Sequence, residues 1–155
     1  MAKEIMRRSA ADNPYLHKDF HMALNCGIDY LHRRYGEEAV REYLRLFTRS
    51  FYAPLIKDIN DRGLTAIKEH LEHIYTLEGG RATFTLTDNE LSVEVAACPA
   101  VIHMRENGVE PDDLFVETER TVNETLATET PYAYELQEYD KDTGRSRQRY
   151  YRRPL

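Results

Sequence analysis

The spacing of apolar residues in this chain of 155 residues first changes at the pair Gly79 and Gly80. Before the two glycines, apolar side chains recur every three or four residues, a period typical of amphipathic helices. After them, Ala82, Phe84 and Leu86 alternate with threonines, a period typical of strands. Helices that precede strands in this way predict an α+β fold, in which N-terminal and inserted helices cover an antiparallel sheet of about four strands.

The first half of the chain is predicted to contain four helices. The first begins at His17, carries Leu24, Ile28 and Leu31 on one face, and ends near Gly36, because glycine favours the left-handed conformation of a helix end. The other three helices are predicted over residues 37–51, over residues 55–61, and from residue 64 to the two glycines.

The second half alternates between strands and helices. The first hairpin ends at Cys98, and Pro99 opens a helix that stops at Gly108. Another helix start is predicted at residues 111–113, but the threonine-rich stretch 118–130 favours a change to extended chain, at a boundary that the sequence leaves open. A second hairpin joins residues 132–139 to residues 147–152. We therefore predict a single domain over residues 14–155 behind a flexible arm of residues 1–13.

The charge balance and the cysteine content limit the partners and the location. Twenty-one basic and 27 acidic side chains give a net charge of −6, which predicts no binding to nucleic acid and none to a membrane surface. Arg145, Arg147 and Arg149 interleave with other side chains near the C-terminus, and we interpret them as a charged edge strand rather than a site for single-stranded nucleic acid. The two cysteines lie far apart and no apolar run has the length of a signal peptide or a membrane span, so we expect reduced thiols and a cytoplasmic location.

Cys98 is the residue most informative about chemistry. It precedes a predicted helix, where unpaired backbone N–H groups and the positive end of the helix dipole lower the pKa of a thiol. A thiolate at this position suits a nucleophile. The alternative is a small, buried apolar side chain at a strand end, since cysteine is among the most buried residue types.

Three histidines are candidates to assist the thiol. His103 lies on the same helix as Cys98 but far round its axis, so a local pair is geometrically awkward. His21 stands in an apolar helix stripe and must find a polar partner or line a cavity, which makes it the better base. His17 and His21 have the spacing of two metal ligands on one helix, but no further ligands are evident, and we predict neither a metal nor a cofactor.

Glu119 and Arg120 follow the Cys98 helix in a compact polar run. A buried Arg120 would hold a substrate carboxylate with two hydrogen bonds, while Glu119 orients the substrate or acts as an acid or base. The alternative is that both residues are exposed charges on a helix surface.

The order of elements and the run Val-Ala-Ala-Cys-Pro over residues Val95 to Pro99 resemble the L-2-amino-thiazoline-4-carboxylic acid hydrolase-like family over residues 17–139. The resemblance implies a small α+β hydrolase that opens a cyclic amidine by a cysteine route, with Cys98 as the matching cysteine. Residues 114–119 and 131–134, where family members carry further cysteines, contain none in this chain.

These observations lead to two hypotheses about function. The first is a hydrolase that opens a cyclic C=N bond of a small carboxylate, with Cys98 and His21 as catalytic residues. Its substrate-binding residues are predicted to be Arg120, Glu119, His17 and His103. The second is a non-catalytic small-molecule binding or sensing module, which the chain's 11 tyrosines also suit because a phenol combines apolar area with a polar tip. A homodimer formed through the N-terminal helices is a further prediction.

Overall fold

A computed structural model describes residues 17–154, with side chains from Asp19 onward. The arm predicted for residues 1–13 lies outside the described residues. The elements in chain order are α1 (His17–Tyr35), α2 (Glu37–Phe51), α3 (Ala53–Arg62), α4 (Leu64–Glu78), β1 (Arg81–Leu86), β2 (Glu90–Ala97), α5 (Pro99–Glu106), α6 (Glu117–Thr128), β3 (Tyr132–Tyr139) and β4 (Ser146–Arg152). The predicted α+β class is confirmed.

The sheet has four antiparallel strands in the order β1-β2-β4-β3. Alternate side chains of each strand face the helices, as a period of two requires. On β2, Leu91, Val93 and Val95 are buried, and on the neighbouring β4 the inward positions include Gln148 and Tyr150. The apolar pattern of β2 therefore predicts its buried face correctly, whereas β4 buries polar side chains that the pattern does not mark.

The prediction that the C-terminal arginines form an edge strand is wrong. Strand β4 lies inside the sheet, between β2 and β3, and its outward face carries Arg147 and Arg149. These arginines form ion pairs with glutamates of both neighbouring strands; for example, Arg149 lies 2.6 Å from Glu135 and 3.2 Å from Glu90. Opposite charges on adjacent strands allow a strongly basic strand to occupy an inner position.

The threonine-rich stretch is helical, contrary to the predicted change to extended chain. Helix α6 continues to Thr128, and threonine hydroxyls inside it bond back by one turn, as Thr125 does to the carbonyl of Thr121 at 2.7 Å. Val122 and Leu126 are buried on its inner side. Tertiary packing of this apolar side therefore outweighs the low helix propensity of threonine.

The helix start predicted at residues 111–113 is also wrong. Those residues form a turn in which the carboxylate of Asp112 accepts a hydrogen bond from the backbone N–H of Leu114 at 2.8 Å, and the helix begins only at Glu117. No helix within residues 17–154 combines the length and the apolar character needed to cross a bilayer.

The buried apolar side chains form two clusters. One lies between α3, α4 and the sheet and includes Ile67, Val93 and Tyr150. The other lies between α1, α2, α5 and α6 and includes Ile28 and Val101. The helices thus pack against the sheet and against one another around two centres, and the candidate site lies where these centres meet.

Candidate active site

A cavity of about 120 Å³ lies at the boundary of the two apolar clusters, because residues of both clusters line it. Its walls come from the helices and from β4, and most are apolar, including Leu24, Phe47, Leu71 and Phe115. The polar side chains that line it are His21, Tyr52, His70, Tyr75, Glu78, Cys98, Thr118, Glu119, Asn123 and Tyr150. An engineered apolar cavity of roughly 150 Å³ in another protein holds benzene, so this cavity has the size for a single small ring.

Cys98 lies at the junction of β2 and α5, where it is the N-cap residue of the helix. The backbone N–H groups of Val101 and Ala100 favour its thiolate, as the sequence predicts. Burial and the nearby Glu119 outweigh them and raise the pKa of Cys98 to about 12. The expected lowering of the pKa is therefore not found, and Cys98 is a neutral thiol at neutral pH.

His21 and Glu78 form a pair on one side of the cavity. The Nε2 atom of His21 lies 3.3 Å from Oε1 of Glu78, whose side chain is only 4% exposed. A carboxylate beside an imidazole fixes the orientation of the ring and stabilises its protonated form. Helix α1 thus supplies the predicted base, and the last residue of α4 supplies a partner that sequence reasoning did not identify.

The missed Glu78 has a signal in the sequence. It continues the apolar stripe of α4, four positions after Ile74 and seven after Leu71, so a helix that buries this stripe also buries its carboxyl group. A charged residue at an apolar helix position is either paired or functional. Glu78 is paired, and it faces the cavity.

Glu119 enters the cavity from the first turn of α6. Burial, together with the charge of Glu78, raises the pKa of its carboxyl group, while a hydrogen bond from Gln148 lowers it. The Nε2 atom of Gln148 donates this bond at 3.3 Å, and the hydroxyl of Tyr134 donates in turn to the side-chain oxygen of Gln148 at 2.6 Å. Two buried polar side chains, Tyr134 on β3 and Gln148 on β4, thus form the hydrogen-bond chain that holds Glu119.

Tyrosine side chains complete the polar lining. The hydroxyl of Tyr150 donates to Oδ1 of Asn123 at 2.5 Å. Tyr75 is 8% exposed, and burial raises the pKa of its phenol, with further contributions from Glu119, Cys98 and Glu78. These three groups act on one phenol because they all lie around the same small space.

The remaining predicted site residues lie elsewhere. Arg120 does not line the cavity; its side chain is 44% exposed and its guanidinium lies 3.0 Å from the buried Glu117. His103 pairs with Asp19 at 3.1 Å, also away from the cavity. His17 is the first residue of α1, and its side chain lies outside the described part of the chain.

The structure therefore brings Cys98, His21 and Glu119 to one cavity and leaves Arg120 and His103 outside it. Within the described side chains, no group of three or more His, Cys, Asp or Glu residues has the arrangement of a metal site. Chemically, the cavity offers a neutral thiol, an imidazole held by a carboxylate, and a second carboxyl group whose pKa burial raises. No protein-family model and no curated protein matches the chain.

Proposed function

We propose that the chain is a hydrolase that opens the C=N bond of a small cyclic compound, as its resemblance to the aminothiazoline-carboxylate hydrolases implies. The observation that carries the proposal is the grouping of Cys98, the His21–Glu78 pair and Glu119 around one cavity of ring size. Hydrolysis of a C=N bond requires a nucleophile, a base and an acid, and these groups are of the three types.

Cys98 is the nucleophile in this proposal. A thiol with a pKa of about 12 is ionised in only about one molecule in 10⁵ at pH 7, so its proton must leave as the sulfur attacks. His21 takes this proton, and Glu78 stabilises the imidazolium that forms. The raised pKa of the thiol therefore makes the base a requirement of the mechanism.

Glu119 supplies the proton on the other side of the C=N bond. Glu119 gives its proton to the ring nitrogen, the sulfur then bonds to the carbon, and the ring C–N bond breaks as the amine takes the proton held by His21. The resulting thioimidate carries a positive charge that the Glu119 carboxylate offsets. Water then adds to the carbon and releases the sulfur, and its two protons return to Glu119 and Cys98.

The test is turnover of two cyclic amidines, 2-amino-2-thiazoline and its 4-carboxylate, followed by mass spectrometry of the ring-opened product. We expect Cys98→Ala to abolish turnover and His21→Asn to lower kcat by about 10² to 10⁴. Cys26→Ser is the matched control, because Cys26 is the exposed cysteine and does not line the cavity. Native rates in both Cys98→Ala and His21→Asn would refute the proposal.

A non-catalytic binding module is the second candidate, and the raised pKa of Cys98 favours it, because a neutral thiol in an apolar cavity is a poor nucleophile unless a base acts on it. A ligand at 100 times its Kd would stabilise the fold by about 2.7 kcal/mol. Thermal stabilisation by a cyclic amidine, with no product after prolonged incubation, distinguishes this module from the hydrolase.

The proposal places the protein in a reducing, cytoplasmic setting, where Cys98 remains a thiol. Dimer formation through the N-terminal helices stays a prediction. Helices α1 and α2 expose several large apolar side chains, namely Phe20, Tyr43, Leu46 and Phe51. Molar mass measured by light scattering over a range of concentrations tests it.

A further inference from the structure

Within the described part of the chain, the polar lining of the cavity contains carboxyl groups without a lysine or an arginine to balance them. Glu78 and Glu119 contribute two carboxyl groups, and no lysine or arginine within the described residues lines the cavity. Glu78 is paired with His21, whereas the carboxylate of Glu119 receives hydrogen bonds from amides, chiefly that of Gln148. Glu119 is therefore the carboxyl group that lacks a cationic partner.

Tyr75 provides a second, independent indication of a ligand. Its side chain is more than nine-tenths buried and lines the cavity, yet its hydroxyl has no hydrogen-bond partner among the described residues. A hydroxyl that lines a cavity and bonds to no protein atom is available to a polar ligand atom beside it. Glu119, Cys98 and Glu78 each raise the pKa of this phenol, as groups on the same polar side of the cavity would.

We propose that the cavity binds its substrate as a planar amidinium cation paired with Glu119 and hydrogen-bonded to Tyr75, and that it rejects a carboxylate group. This inference rests on the proposed function, because it names the charge of the substrate for that reaction. Carboxylate and phenol oxygens both accept hydrogen bonds, and an amidinium presents N–H donors in one plane that match a carboxylate. An anionic substituent would instead meet two carboxyl groups and no lysine or arginine side chain.

The proton balance follows from the two forms of Glu119. Burial raises the pKa of Glu119 and a bound amidinium lowers it again, so binding of the cation favours release of a proton to solvent, whereas a neutral amidine takes a proton onto its own nitrogen. Both routes end in the same carboxylate–amidinium pair. The other titratable groups around the cavity are His21, Tyr52, His70, Tyr75, Glu78, Cys98 and Tyr150, so the Glu119→Gln variant is needed to assign the proton.

The experiment measures binding by calorimetry to the Cys98→Ala variant, which does not turn over under the proposed mechanism. Three probes share one ring: cationic 2-amino-2-thiazoline, neutral 2-thiazolidinone, and 2-amino-2-thiazoline-4-carboxylate. We expect the cation to bind at least tenfold more tightly than either of the other two. Titrations in buffers of different ionisation enthalpy are expected to show net release of protons when the cation binds, because binding favours the ionised form of Glu119.

Two further variants locate the recognition. Glu119→Gln is expected to lower affinity for the cation at least tenfold, to leave the neutral probe unchanged and to abolish proton release, while Tyr75→Phe lowers affinity for the cation about threefold. Glu106→Gln, at an exposed position outside the cavity, is the control. The comparison of probes needs no variant at Glu119, so it remains decisive even if Glu119→Gln does not fold.

Equal or tighter binding of the neutral ring or of the carboxylate would overturn the inference. This failure is distinct from failure of the proposed function. Selective binding of the cation without product formation by the native protein would refute the hydrolase and leave the inference standing. Turnover by the native protein without a preference for the cation would refute the inference and leave the hydrolase standing.

Discussion

His21 and Glu78 meet across 57 positions of sequence, with Nε2 of the imidazole 3.3 Å from Oε1 of the carboxylate. The contact joins the first helix to the last residue of the fourth, beside the thiol at the end of β2. Because the carboxylate is buried, its interaction with the imidazole is stronger than the same pair would have in water. In the proposed mechanism this pair supplies the base for the thiol of Cys98.

Replacement of Glu78 by glutamine tests the pair directly. The amide keeps the shape of the side chain but removes the charge that stabilises an imidazolium, so we expect kcat to fall by about 10² to 10³ with little change in KM. The double variant with His21→Asn is expected to be no slower than His21→Asn alone, because the two residues act as a unit. Glu69→Gln, on the exposed side of the same helix, is the control. A fall in kcat that is accompanied by a similar change in KM and by a loss of stability would contradict the assigned role.

Glu119 is expected to make stability depend on pH. Its pKa is raised above the ordinary value of 4.5, so the folded protein holds this proton more tightly than the unfolded chain. The stabilisation is complete below the pKa of the unfolded chain and is lost as pH rises through the folded-state pKa. Glutamine stays neutral at every pH, so Glu119→Gln should gain stability relative to the native protein as the pH rises above about 4.5 and through the folded-state pKa of Glu119.

Thermal or urea unfolding of both proteins at a series of pH values measures this difference. Glu106→Gln serves again as the exposed control and is expected to show no such gain. A constant difference in stability between native protein and Glu119→Gln over the whole series would show that Glu119 does not titrate in the folded protein as we expect.

Gly144 connects the last hairpin to the candidate nucleophile. Its φ of +65° lies in the left-handed region, and a Cβ atom added there would collide with Cβ of Cys98 and lie 3.0 Å from Cγ2 of Val101. Gly144→Ala is therefore expected to lower the free energy of unfolding by about 2 to 4 kcal/mol, since strain and overpacking add.

Gly108 offers a matched control for this effect. Its φ of +71° is similar, but a Cβ atom there would meet no atom within 4 Å. Gly108→Ala should therefore cost only the backbone strain, about 1 to 2 kcal/mol. Equal losses in the two variants, measured by equilibrium unfolding in urea, would show that the hairpin does not press on Cys98.

The hydrogen bond from Tyr150 to Asn123 is expected to contribute to stability. Tyr150→Phe removes a donor and leaves the buried Oδ1 of Asn123 without it, which should cost about 1 to 3 kcal/mol. Tyr35→Phe changes an exposed tyrosine and should have an effect near zero. Equilibrium unfolding of the two variants provides the comparison, and a similar small change in both would contradict the expectation.

Elements with a clear apolar period were predictable. The stripe with Leu24 and Ile28 faces the core, and β2 buries the residues that its alternation marks. The threonine-rich α6 was not predictable, because its helix depends on burial of Val122 and Leu126 against other elements. The inner position of β4 was likewise not predictable, because long-range pairing decides which strands are its neighbours in the sheet.

Part of the candidate site could be reached in the same way. Cys98 and His21 could be predicted as site residues, because a thiol at a helix start and a histidine in an apolar stripe are unusual. Both line the cavity. Arg120 and Glu119 are adjacent in sequence but face different surroundings, because successive residues of a helix point in directions about 100° apart. Glu119 faces the cavity, whereas Arg120 turns toward Glu117 and solvent.

The sequence by itself determined the order, type and approximate limits of most elements, because the period of apolar side chains is a local property of the chain. The tertiary structure alone decided that Glu78, Glu119 and Tyr75 surround the thiol and that this thiol is neutral rather than ionised. The physical reason is that burial by distant elements, rather than the adjoining helix, dominates the free energy of the ionised group.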